Sequence, residues 1–193
     1  MGRNDSDGED DPLTAASEPQ LLERAKAGDL DAFGEFMRTC ERRVRAVLYR
    51  LLDDARDVDE AVQDTFVQAW RNLERFRGDA APYTWLYRIA VNEALMRRRR
   101  KTLPTTELQE TTVSGGEDAY AAADARAFLI GRLRALPIEY RTAVVLRDIE
   151  GLSNEEVARV LEISLAAAKS RIHRGRMQLR AELEQWERAQ TDG

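Results

Sequence analysis

Among its 193 residues the chain has one cysteine, one histidine and few aromatics, 7% of the total, and each shortage removes a class of function. With Cys40 alone, no intramolecular disulfide can form, and with His173 alone the usual Cys and His zinc set cannot be assembled. Glycine-rich phosphate loops are missing, and no Ser or Cys stands with a histidine and an orienting acid in a recognisable catalytic motif. Catalysis by the chain itself is therefore not expected, and neither is a cofactor. Apolar runs stay short of the roughly 18 residues needed to span a bilayer, so no membrane insertion is expected. The Asp-rich start lacks the basic and apolar regions of a signal peptide, which makes a soluble cytoplasmic protein the expectation.

What is present is helical periodicity. Strand-like alternation of useful length does not occur, and Gly and Pro fall between segments with apolar residues every three or four positions. The expected fold is all-α: two small helical bundles joined by a flexible linker, the second containing a helix-turn-helix. Residues 1–19 read as a disordered acidic tail, with six carboxylates against Arg3, which leaves 29 charges of each sign in the remainder. Residues 20–102 form the first module, 103–118 a Thr-, Ser- and Gly-rich linker, 119–187 the second module and 188–193 a disordered tail.

Within the first module, Pro19 and Gly28 bracket a short helix, Gln20 to Ala27. Leu30, Phe33, Phe36, Cys40, Val44, Val47 and Leu51 form one apolar stripe, on which buried packing is the expected role of Cys40. A third stripe is Val58, Val62, Phe66, Trp70 and Leu73, and Pro82 opens a fourth helix through Trp85, Ile89 and Leu95. In the second module, helices run from Ala119 to Leu136 and from Ile138 to Ile149.

The residues richest in chemistry are Gly151 to Arg180. Ser153 with Glu156 fits a capping box, Glu162-Ile163-Ser164 makes a turn, and Ser164 caps a following helix with the stripe Leu165, Ala168, Ile172, Leu179 and Leu183. From Lys169 to Arg180 every charged residue is basic, as a helix seated in a major groove against phosphates requires. Because the folded part has no net positive charge, weak binding of the free chain to duplex DNA is expected. Positive charge gathers instead at Arg97 to Lys101 and Lys169 to Arg180, while Asp53 to Asp64 is strongly acidic.

Three segments in order, DVDEAVQDTFVQAW (57–70), NLERFRGDAAPYTWLYRIAVN (72–92) and LPIEYRTAVVLRDIEGLSNEEVARVLEIS (136–164), strongly resemble sigma factors of the sigma-70 family, of the compact extracytoplasmic-function type. The resemblance implies a transcription initiation subunit that joins core RNA polymerase, reads the −10 element with its first domain and the −35 element with its second, and helps open the duplex. By it, Asp59, Glu60, Gln63 and Asp64 bind the coiled coil of the largest polymerase subunit, and the polymerase flap is a further contact. Asn92 begins the −10 reading loop, accompanied by Arg88, Arg97, Arg98, Trp85 and Phe76, although Trp85 and Phe76 also fit the core. Arg97 to Lys101 reads either as a phosphate-contacting run or as a solvated helix end.

The same resemblance implies that Lys169, Ser170, His173 and Arg174 fall over −35 bases, with Arg171 beside them facing phosphates or the bundle's own acids. Promoter DNA, polymerase core and an anti-sigma protein are the partners implied. Two departures from the family pattern stand out: Glu162 where Gly is usual, and Leu165-Ala166-Ala167-Ala168 where the family's usual pattern has Gly and Thr at its centre. A stand-alone helix-turn-helix regulator is the alternative reading, which leaves Asp57 to Asn92 without a role, and a helical interaction protein without any DNA role is the third.

Overall fold

The structure is a computed structural model that describes residues 17–102 and 120–191. The acidic tail up to residue 16 and the linker at 103–118 lie outside the described residues. The rest is helical, as the periodicity requires, with no strand among the described residues. The first module holds α1 (Glu18–Lys26), α2 (Leu30–Leu51), α3 (Ala55–Arg71), a single 3₁₀ turn at Leu73–Arg75, and α4 (Pro82–Thr102). The second holds α5 (Tyr120–Ala135), α6 (Ile138–Val144), a π turn at Val145–Ile149, α7 (Asn154–Leu161) and α8 (Leu165–Thr191). Among the described residues no helix is long and apolar enough to cross a membrane.

Caps set most helix starts. The Ser17 N–H donates to Gln20 Oε1 at 2.9 Å, so α1 begins at Glu18, inside the stretch read from sequence as tail. Asp29 accepts from the Ala32 N–H at 3.0 Å and Asp54 from the Arg56 N–H at 2.8 Å, starting α2 and α3. The α2 stripe is buried from Phe33 to Leu51, but Leu30 is 67% exposed, because the first helical position precedes the turn that faces the core. Cys40 is buried and its thiol is pushed up to about 12 by that burial. In α4 the buried face is Leu86, Tyr87, Ala90, Val91 and Ala94, while Trp85, Ile89 and Leu95 sit at its edge. The two alanines let neighbouring helices approach where a larger stripe was expected.

Expected as one helix, Ile138 to Ile149 widens at Val145 into a π turn, with the Glu150 N–H returning to Val145 O at 3.0 Å. Further on, α8 continues through Thr191, past residue 187 where the sequence reading ended the fold. Its ring of Trp186 lies 4.5 Å from that of Phe128 on α5, and Arg132 on α5 pairs with Glu182 at 2.8 Å. These contacts give the extra turns something to pack on. Midway along α8, a Cβ on Gly175 would stand 2.5 Å from Val144 Cγ2 and 3.1 Å from Tyr140 O, so only glycine lets α6 and α8 cross there.

One buried cluster runs through both modules. Leu146, Leu152, Val157 and Val160 of the second module join the packing of α1–α4. Arg141 on α6 is 2% exposed and donates to the carbonyls of Leu51 at 3.2 Å, Leu136 at 3.3 Å and Arg134. Its guanidinium thereby satisfies a carbonyl at the C-terminal end of α2, a group that the helix itself leaves unpaired. Burial is the main reason the Arg141 pKa falls to about 10, and Arg98 nearby adds to the effect.

Candidate nucleic-acid interface

The helix-turn-helix is built from local chemistry. Ser153 Oγ accepts from the Glu156 N–H at 3.1 Å while Glu156 Oε2 accepts from the Ser153 N–H at 2.7 Å, closing the capping box of α7. Glu162 then adopts the left-handed conformation, φ 53 and ψ 42, which costs a residue with a side chain roughly 1 kcal/mol relative to Gly. Ser164 Oγ accepts from the Ala167 N–H at 3.2 Å and starts α8. With Ala168, Ile172 and Gly175 buried, the opposite face of α8 presents Lys169, Ser170, His173 and Arg174 to solvent. Their spacing of one, four and five places them on a single side of the helix. Arg174 also contacts the Tyr140 hydroxyl at 3.3 Å. Arg176 instead grips Asp148 through two nitrogens, and Arg147 donates to Leu152 O at 2.7 Å, so both serve the fold.

Half-buried Arg171 sits on a neighbouring face, in a cleft of about 740 Å³ that Arg98 and Arg99 of α4 also line. Asn92, read from sequence as the start of a loop, lies instead inside α4, which runs on to Thr102; it and Arg88 are exposed one turn apart. Trp85 is half-buried, its ring 5.1 Å from that of Phe76. Phe76 is buried and offers no free face to a base, so of its two sequence roles the packing one holds here.

The acidic and basic stretches, expected to serve different partners, meet each other. Arg97 pairs with Glu60 at 2.8 Å and with Asp64; Arg98 pairs with Asp53 at 2.7 Å; Lys101 reaches Asp57 at 2.5 Å and Asp54 at 3.6 Å. Asp59 pairs with Arg45 of α2. Asp59, Glu60, Gln63 and Asp64 nevertheless remain exposed along one side of α3, open to a large partner. Burial, followed by the Asp64 charge, raises the Glu93 pKa beside this cluster. In the second module, Leu129, Leu133, Ile149 and Leu179 line an apolar groove of about 450 Å³ edged by Arg50, Arg176 and Arg180.

Sequence reasoning missed the contacts between modules. The Tyr87 hydroxyl donates to Glu150 Oε2 at 2.6 Å, and Arg50 lies 3.6 Å from the same carboxylate. Glu156 lies 3.4 Å from the Tyr83 hydroxyl and 3.3 Å from that of Thr84, and Glu162 pairs with Arg88 at 2.9 Å. No periodicity flags such pairs, because their partners lie far apart in the chain.

Two family models match this arrangement in order: sigma-70 region 2 over residues 36–103 and sigma-70 region 4 over residues 129–179. The chain belongs to the sigma-70 family, as an extracytoplasmic-function sigma factor. It is 35% identical over 179 residues to the RNA polymerase sigma-H factor of Pseudomonas aeruginosa, covering 85% of this chain and 92% of that one. The ECF RNA polymerase sigma-E factor of Escherichia coli is 34% identical over 171 residues, covering 81% and 88%. Among solved structures, CnrH in complex with the cytosolic domain of CnrY superposes with a TM-score of 0.66 at 30% identity, covering 85% of this chain and 95% of that one. The sigma factor RpoE of Bartonella quintana, in complex with the anti-sigma factor NepR, gives 0.68 at 25% identity, covering 80% and 98%. Membership makes this sigma factor a promoter-specific initiation subunit of RNA polymerase.

Proposed function

We propose that this sigma factor brings core RNA polymerase to promoters by reading the −10 element with α4 and the −35 element with α8. The observation that carries the reading is the solvent face of α8, where Lys169, Ser170, His173 and Arg174 stand together behind a capped helix and a tight turn. A bidentate arginine contact to guanine is worth about 1–3 kcal/mol of discrimination, which makes Arg174 the leading −35 determinant, with Arg171 toward the phosphates. Asn92 takes an exposed −10 base edge, and Arg88, Arg97 and Arg98 follow the backbone beside Trp85. Holding a base out of the stack costs a few kcal/mol, which polymerase binding and these contacts offset.

Asp59, Glu60, Gln63 and Asp64 meet the coiled coil of the largest polymerase subunit, where charge pairing sets orientation more than affinity. The apolar groove beside α5 and α8 suits an amphipathic helix, and we assign it to the polymerase flap. An anti-sigma protein is a further partner, supported by the two solved relatives, which are bound to CnrY and NepR. The polymerase, in the cytoplasm, performs the chemistry. Reconstitution with purified core tests the whole reading. Retention on core and initiation at a cognate promoter are expected, and a chain that does neither refutes it.

A further inference from the structure

Three glutamates of the second module, Glu150, Glu156 and Glu162, reach the same helix of the first. Glu150 accepts from the Tyr87 hydroxyl at 2.6 Å, Glu156 lies within 3.4 Å of Tyr83 and Thr84, and Glu162 holds Arg88 at 2.9 Å. Hydroxyl and guanidinium donors beside aromatic rings are the groups that bind a nucleic-acid backbone. Here each of them faces a carboxylate instead. Glu150 is the most committed, its side chain only 9% exposed and Arg50 a further 3.6 Å away. Glu162 is informative in a different way, since it occupies a left-handed position that glycine would fill at lower cost, and its carboxylate gains Arg88 in exchange.

We propose that Tyr83, Thr84, Tyr87 and Arg88 form a binding surface for the phosphate backbone of single-stranded DNA, and that the free chain covers it with its own second module. Glu150, Glu156 and Glu162 stand where phosphates would lie. The identity of the displaced ligand rests on the initiation reading above. Size supports the same conclusion. Promoter elements at −10 and −35 are about 25 base pairs apart, or roughly 85 Å at 3.4 Å a step, whereas a compact chain of this length has a radius of gyration of about 16 Å. The packed arrangement cannot touch both elements, so it opens before promoter binding.

The test uses the full chain and a variant carrying Glu150→Gln, Glu156→Gln and Glu162→Gln; glutamine at 156 keeps the capping box. Small-angle X-ray scattering gives the radius of gyration, and anisotropy at fixed salt gives affinity for a fluorescein-labelled single-stranded DNA of mixed sequence. The variant is expected to expand and to bind the oligonucleotide about tenfold more tightly. Tyr87→Phe, which removes the Glu150 bond without changing charge, is expected to expand the chain in scattering. Should the triple variant lose its helical circular dichroism, Glu150→Gln alone replaces it in both measurements. Tighter binding at unchanged size would mean charge alone is responsible and would overturn the proposal. Expansion with unchanged affinity, or no change in either, overturns it too. Transcription with core is read separately: a chain that opens as described yet never binds core defeats the initiation reading and leaves the clasp intact.

Discussion

The two modules handle charge in opposite ways. In the first, three of the five basic residues at the end of α4 pair with the acids of α3 and its preceding turn, Arg97 with Glu60 and Asp64, Arg98 with Asp53, and Lys101 with Asp57. In the second, Lys169, Ser170 and His173 stand exposed, with their neighbour Arg174 touching the Tyr140 hydroxyl. A surface whose charges are already paired must exchange partners to bind, so its affinity depends on what displaces the internal pair. A surface with open donors is ready for a groove as it stands. Under the proposed function, binding by the first module is the step subject to conformational control, while the second meets its −35 bases without first exchanging partners.

The largest expected effect tests whether the modules share a core. Phe36→Ala, at a fully buried ring in the first module, should cost roughly 3–5 kcal/mol, and because the buried cluster is continuous, urea unfolding should show both modules losing stability together. Independent transitions would break that part of the comparison. Next, Gly175→Ala places a methyl against Val144 and Tyr140 and should cost roughly 1–3 kcal/mol, lowering the one melting temperature that the two modules share. Arg174→Ala should leave folding intact and remove roughly 1–3 kcal/mol of −35 discrimination, measured as transcription from matched and mismatched promoters. Asn92→Ala should instead slow promoter opening, seen by permanganate reactivity, with the −35 preference kept.

Smaller effects sharpen the contrast in charge. Arg97→Ala breaks ion pairs whose carboxylates are largely exposed, so a stability change within about 1 kcal/mol is expected while core binding changes measurably in a pull-down titration. Smallest is Glu162→Gly, which relieves the left-handed position but gives up Arg88. The two effects nearly cancel in thermal unfolding, leaving a net change within roughly 0.5 kcal/mol.

What could be read from sequence was whatever local rules govern. The Ser153–Glu156 box, the Ser164 cap, the burial of Cys40 and the strain at Glu162 each depend on residues within a few positions, and each is present in the structure. The buried face of α4 differs from the expected stripe because Ala90 and Ala94, too small to weigh in a periodicity count, are fully buried. The π turn after Val144 left no mark in the apolar pattern, which continues through it. Gly175 carried a usable signal, a glycine three positions after Ile172 on the buried side of a helix, that went unread. Arg141, in contrast, carries no local mark of burial, and it is enclosed where it meets the Leu51 carbonyl of a helix some 90 positions away, beside the nearby carbonyls of Arg134 and Leu136.

Cys40 has a practical consequence. Its thiol is enclosed in the middle of α2 and held almost wholly protonated, so maleimides and mild oxidants at neutral pH should pass it by. A cysteine introduced on the surface of either module can then be tagged selectively without first removing the native one, and the separation of the two modules can be followed by paired dyes in a polypeptide whose own sulfur stays silent.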